Sequence, residues 1–181
     1  MRAFGTAVSL TVLAASLGAC GGPDQQDAPE VQELSGQDEI VVTEAELEGN
    51  PFIASWETPY GAPPFSEIAD QDYMPAIRAG VLELRNDIGT IVQSTDAPTF
   101  ENTIVALDLA GSLMNKVAFT FSNITSTDTN DTLRELETEI YPLLTRDTDA
   151  VFLNQALFDR ANAVYEQRDT LDLDEQDARL L

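Results

Sequence analysis

Histidine occurs nowhere in the 181 residues, lysine occurs once, as Lys116, and cysteine once, as Cys20. These absences exclude most ordinary bond-breaking constellations. Ser-His-Asp and Cys-His mechanisms need imidazole as their base. Zinc hydrolases almost always hold their metal through imidazole, and thiolate zinc sites need several cysteines. A Ser-Lys arrangement would depend on Lys116, which lies on a strongly helical stretch among ordinary surface residues. Carboxylates remain. Asp128-Thr129-Asn130-Asp131 begins like a calcium loop, but Leu133 stands where that loop requires glycine. An N-cap turn before a helix is the stronger reading. Asp172, Asp174, Glu175 and Asp177 could gather a divalent cation, but they read better as the solvated start of a helix. No residue is expected to be catalytic, cofactor-binding or metal-binding in this chain.

Cys20 has a different chemistry. Arg2 is followed by a mostly apolar or small run from Ala3 to Leu17, then by Gly18 and Ala19 before the cysteine. The run is shorter than the roughly 20 apolar residues that span a bilayer. Leu17-Gly18-Ala19-Cys20 resembles the end of a bacterial lipoprotein signal peptide, whose cysteine thiol takes a thioether-linked lipid after export. An ordinary signal peptide with a chance cysteine, or an uncleaved anchor, are the competing readings. The resemblance implies a signal peptide at 1–19 and a lipid on Cys20. It implies a chain held at a membrane, with the outer membrane facing the periplasm favoured because Gly21, not Asp, follows the cysteine.

Charge opposes nucleic acid as a partner and favours solubility. The sequence holds 9 basic and 32 acidic residues, a net charge of −23, and loss of Arg2 with the leader makes it −24. Such a balance repels phosphate backbones and anionic headgroups. With one cysteine, no disulfide forms within the chain.

Residues 20–49 read as an acidic flexible tether. After Cys20 they contain no basic residue and few large apolar ones, too few to offset the entropy of ordering. Ile40-Val41-Val42 is the one stretch that could make a short strand or a contact. Residues 50–67 change character, with four prolines among Phe52, Trp56 and Phe65. Proline fixes φ and removes donors, so this is an irregular strap whose aromatics pack on the helices beyond it.

Helices dominate the rest, and the class is all-α. Tyr73, Ile77, Val81, Leu84, Ile88 and Ile91 recur at steps of 3 and 4 and define one face of a helix over about 70–93. Phe100, Ile104, Leu107, Gly111, Met114, Val117, Phe121 and Ile124 do so over about 99–124, with Thr99 as N-cap. Gly111 is expected inside that helix, where a neighbouring helix comes close. A third helix is expected over about 130–145, on Leu133, Leu136, Ile140, Leu143 and Leu144, with Pro142 kinking or ending it. A fourth over about 154–168 is expected to bury Leu157, Phe158, Ala161, Val164 and Tyr165, and a fifth begins near Asp174.

Several blocks carry a resemblance to a family. They are Asn50-Pro51-Phe52, Pro59-Tyr60-Gly61-Ala62-Pro63-Pro64-Phe65, and Asp72-Tyr73-Met74-Pro75-Ala76. Pro98-Thr99-Phe100-Glu101-Asn102-Thr103-Ile104, Leu157-Phe158-Asp159-Arg160 and Tyr165-Glu166-Gln167-Arg168 continue the series. Their order and spacing resemble the N-terminal region of peptidyl-dipeptidases (dipeptidyl carboxypeptidases) of the thimet oligopeptidase family of zinc metallopeptidases. The resemblance covers 50–181. It implies antiparallel helices from the N-terminal lobe of a neurolysin-like fold, in which two helical lobes enclose a channel for short peptides. In complete members zinc is held by a His-Glu-x-x-His helix and a later Glu. No position here matches those residues, so zinc is expected in the complete family member and not in this chain. The expected role is one channel wall of a lipid-anchored peptidase, as a fragment, a truncated gene or a shortened relative. The alternative is a non-catalytic helical lipoprotein that binds peptides or a protein partner.

Overall fold

The computed structural model describes residues 39–181. The leader at 1–19, Cys20 and most of the acidic tether lie outside the described residues. Where the tether reading overlaps them, Thr43 caps a helical turn, α1 (Glu44–Leu47). Thr43 Oγ1 accepts from Glu46 N at 3.3 Å, and the Glu46 carboxylate accepts from Thr43 N at 2.8 Å. That reciprocal capping box holds the Glu46 carboxyl below its usual value. Ile40 packs against the main core.

The strap is irregular, as its prolines require, apart from tight turns, one at Pro59–Gly61 and others closed by Ile53 N on the Asn50 carbonyl and Glu67 N on the Pro64 carbonyl. Phe52 is fully buried and Trp56 packs beside it, whereas Phe65 is exposed. Asn50, itself buried, fixes the entry. Its Nδ2 donates to the Asp72 carbonyl at 2.9 Å, and its Oδ1 accepts from Phe52 N at 3.0 Å.

The first long helix, α2 (Tyr73–Gln93), follows a short turn at Asp70–Asp72, and all six residues of its expected apolar face are buried. The expected single helix over 99–124 is not continuous. Thr99 caps a π-helical segment (Phe100–Val105), α3 (Ala106–Leu109) comes next, and α4 (Ser112–Thr127) starts afresh. The break is at Gly111, whose φ of 67° is left-handed and so cannot continue a helix. Two glycines let α2 and α4 pack, and the expected close approach at Gly111 is one of them. A Cβ on Gly80 would meet Met114 N at 2.5 Å, so Gly80 is where the two helix backbones come closest together. Gly111 combines its turn with crowding, since a Cβ there would sit 2.9 Å from Leu84 Cδ1.

Helix α5 (Asp131–Phe152) corrects a second expectation: it passes through Pro142 and ends seven residues beyond the expected limit of 145. Proline removes one rung of the ladder. Buried Ile140 and Asp147 on either side are held by tertiary contacts, and these outweigh local propensity. Helix α6 (Gln155–Tyr165) buries Leu157 and Val164 only, with Ala161 half-buried between them. Phe158 and Tyr165, each one position further on, are rotated about 100° from that stripe and are exposed, contrary to expectation. A last turn, α7 (Asp177–Leu180), closes the described chain. Among the described residues no strand forms.

A chain of rings runs through the core. Trp56 and Phe52 lie 6.0 Å apart, Phe52 and Tyr73 5.3 Å, Tyr73 and Phe121 5.1 Å, and Phe121 and Tyr141 5.9 Å, all tilted or edge-on. It joins the strap to α2, α4 and α5. Among the described residues, Phe100–Thr127 alone has the length and hydropathy to cross a membrane. Its apolarity has another use here: Met114, Val117 and Phe121 are buried in this core.

Candidate functional site

Positive charge is scarce, and the structure uses much of it as joints. Lys116 projects from α4 beneath the strap. Its Nζ donates to the carbonyls of Phe52 and Ala54, each at 2.9 Å, and lies 4.2 Å from the centre of the Trp56 ring. Burial lowers its pKa from the ordinary lysine value. Lys116 is therefore not the ordinary surface residue that helical periodicity suggests. Arg85 on α2 reaches Asp147 on α5, Nε to Oδ1 at 2.5 Å, and Arg146 meets the other oxygen at 3.2 Å. Arg160 on α6 donates to the carbonyls of Ser94 and Asp96 at 3.1 and 3.2 Å and to Asn102 Oδ1 at 3.4 Å. The same Asn102 oxygen accepts from Thr99 N at 2.8 Å, which closes the cap of the π-helical segment.

Several blocks that carry the resemblance meet at such joints. Asn50 bonds Asp72, Phe52 stacks near Tyr73, and Arg160 bonds Asn102. They hold elements together and present no reacting group.

A largely apolar concavity lies between the α3–α4 break and the α5–α6 corner. It is a groove of about 450 Å³, lined chiefly by Leu107, Ala110, Met114, Val151, Phe152 and Phe158. Two devices shape it. Glu83 and Asp87, on α2, stand in for a cap that Gly111 cannot supply: Asp87 Oδ2 accepts from Gly111 N at 3.1 Å and Glu83 Oε1 from Leu113 N at 3.0 Å. At the other lip Asn154 Oδ1 accepts from Leu157 N at 3.0 Å and starts α6 immediately after α5. Phe152, Leu153 and Phe158 are left exposed there, Phe152 at 81%. The polar groups bordering the groove are Asp108, Asn115, Thr148 and Asn154. The lining is otherwise apolar, a surface suited to apolar groups.

Among the described residues no three His, Cys, Asp or Glu side chains converge as a ligand set. The donors present do not fit zinc. Asn130 acts as an N-cap, its Oδ1 accepting from Leu133 N at 2.8 Å. Asp174 Oδ1 accepts from the backbone of Gln176 and Asp177 at 2.8 and 2.9 Å, and Glu175 pairs with Arg179. Both carboxylate groupings are accounted for as helix starts.

The chain that carries these joints is similar to dipeptidyl carboxypeptidases. Over 132 residues, 73% of this chain, it is 39% identical to the dipeptidyl carboxypeptidase of Salmonella typhimurium and 36% identical to that of Escherichia coli. The match covers 19% of each relative, so this chain spans about a fifth of the length of the curated dipeptidyl carboxypeptidases it matches. No family model matches it.

Sequence reasoning missed Lys116, the Arg85–Asp147 pair and the bridging role of Arg160. A signal existed. In a chain with 9 basic residues against 32 acidic ones, any cation on an otherwise apolar helix stripe is a candidate joint.

Proposed function

We propose that this chain is a wall-forming, non-catalytic part of a peptidase related to the dipeptidyl carboxypeptidases. In this reading it is exported and tethered through lipid on Cys20, with the outer membrane facing the periplasm as its place. The observation that carries the reading is the 39% identity over 132 residues to an enzyme of which those residues are only a fifth. The helices supply shape, excluding folded proteins and admitting short peptides. Water activation belongs to polypeptide outside the matched region, where the complete enzyme would hold zinc.

Two experiments test it. The first is the DNA that lies beyond codon 181: a His-Glu-x-x-His segment in any frame supports the reading, and an unrelated gene with its own regulatory sequence contradicts it. The second is labelling of the expressed chain with a radioactive fatty acid. Label that is lost in Cys20→Ser supports the anchor, and an unlabelled wild-type chain removes it.

The ring chain favours a second reading, because it gives these helices a core of their own. A non-catalytic lipoprotein would then bind peptides or a protein partner without metal. Saturable binding of short peptides by the 181-residue chain in the presence of chelator would select that reading.

A further inference from the structure

We infer that the groove between the α3–α4 break and the α5–α6 corner is the seat for the remaining polypeptide of a dipeptidyl carboxypeptidase-like protein, and that Phe152 and Phe158 are its anchors. The inference rests on the peptidase reading and assigns the surface through which the chain would meet the rest.

Exposure is the first observation. Phe152, Leu153 and Phe158 are 81%, 78% and 61% exposed, and they stand together at one corner. A scattered exposed leucine needs no explanation, whereas adjacent large side chains bordering an apolar groove mark an interaction surface. The second observation is how the groove is built. The turn at Gly111 withdraws the backbone, and Glu83 and Asp87 hold the first turn of α4. Asn154 turns the chain sharply so that Phe152 and Phe158 face out on either side of it. Charge gives the third. In a chain of net charge −23, Asp108 is the only ionisable residue among those lining the groove. A largely apolar patch with a single carboxylate, on a strongly acidic surface, suits an apolar segment and leaves a charged small ligand little to bind.

The occupant is fixed by length. In the relatives about four-fifths of the polypeptide lies outside the matched region, and that polypeptide has to pack against this part somewhere. A self-associating second copy would use the same corner, and the test separates the two.

The test uses the full 181-residue chain, alone and fused in place of the matched 132 residues of the Salmonella enzyme. Phe152→Asp and Phe158→Asp are made in both, with Tyr60→Asp, a fully exposed aromatic on the strap, as the control. In the chain alone the two groove variants should shift the melting midpoint by less than about 2 °C, because they alter exposed side chains. In the fusion they should reduce cleavage of a short peptide about tenfold or more and lower the melting midpoint, because a carboxylate would be buried unpaired. The Tyr60 variant should do neither. An active fusion whose groove variants match the control overturns the assignment and leaves the peptidase reading intact. An inactive or unfolded wild-type fusion overturns the peptidase reading and the assignment with it. Sedimentation of the chain alone supplies the last comparison: a dimer that Phe152→Asp dissociates would give the groove to a second copy and overturn the proposal.

Discussion

Lys116 Nζ sits 4.2 Å above the centre of the Trp56 ring while bonding two strap carbonyls. One cation thus fixes an otherwise irregular segment to α4. Replacement by methionine removes the charge and both bonds while keeping much of the stem. The expected loss is about 1–2 kcal/mol, from a part-buried cation–π contact and hydrogen bonds to a charged donor. Trp56 is the sole tryptophan, so its fluorescence reports the strap directly. Lys116→Met should shift the emission to longer wavelength before global unfolding. An unshifted spectrum with an unchanged denaturation midpoint would contradict the joint.

Gly80 and Gly111 make opposite demands on intuition. Alanine is the better helix former by about 1 kcal/mol, so propensity alone says Gly80→Ala stabilises α2. The structure says the reverse, because the new Cβ would lie 2.5 Å from Met114 N and 2.6 Å from its Cα, and backbone cannot rotate away. Gly80→Ala should cost about 1–3 kcal/mol by overpacking. Gly111→Ala should also destabilise, by about 1–2 kcal/mol from the left-handed φ alone. Denaturant melts check both, and a stabilised Gly80→Ala chain would refute the α2–α4 contact.

Asp147 is the one buried carboxylate among the described residues, and it takes charge from α2 and α5 together. Removing it leaves Arg85 without that partner at a part-buried site. Asp147→Ala should cost about 3 kcal/mol. The joint change Arg85→Met with Asp147→Leu should recover most of that loss, since two apolar side chains need no mutual geometry. Equal losses in the single and double variants, measured by denaturant unfolding, would contradict the pairing.

Tyr73 gives the pH dependence. Burial, with help from the charges of Asp70 and Asp72, raises its phenol from the ordinary 10 to about 12. Above about pH 10 the unfolded chain releases this proton while the folded chain keeps it. Alkali therefore favours unfolding, and the contribution present below pH 10 is lost as the pH rises toward 12. Tyr73→Phe has no such proton. The wild-type denaturation midpoint should fall more steeply than that of the variant between pH 10 and 12, and parallel falls would contradict the buried phenol.

Periodicity was enough to read α2, because its stripe packs along its whole length. It failed at Gly111, where spacing of 3 and 4 continues across a break: Leu107 and Met114 face the same core from separate helices. It stopped α5 short at 145, because the force that carries the helix onward comes from Ile140 and Asp147, residues held by burial and by a partner on another element. Phe158 and Tyr165 look like core in a single sequence, since apolar type does not reveal which face a neighbour covers. The scarcity of cations marks Lys116 and Arg160 as candidate joints, but their partners stay illegible, because each bonds main-chain carbonyls and carbonyls carry no sequence signature.

The central proposal is that this polypeptide shapes a peptidase and does not itself cut. The purified 181-residue chain, incubated with short peptides in zinc-supplemented buffer and separately with chelator, tests it most directly. The account predicts no dipeptide release under either condition. Turnover that zinc supports and chelator abolishes would contradict it.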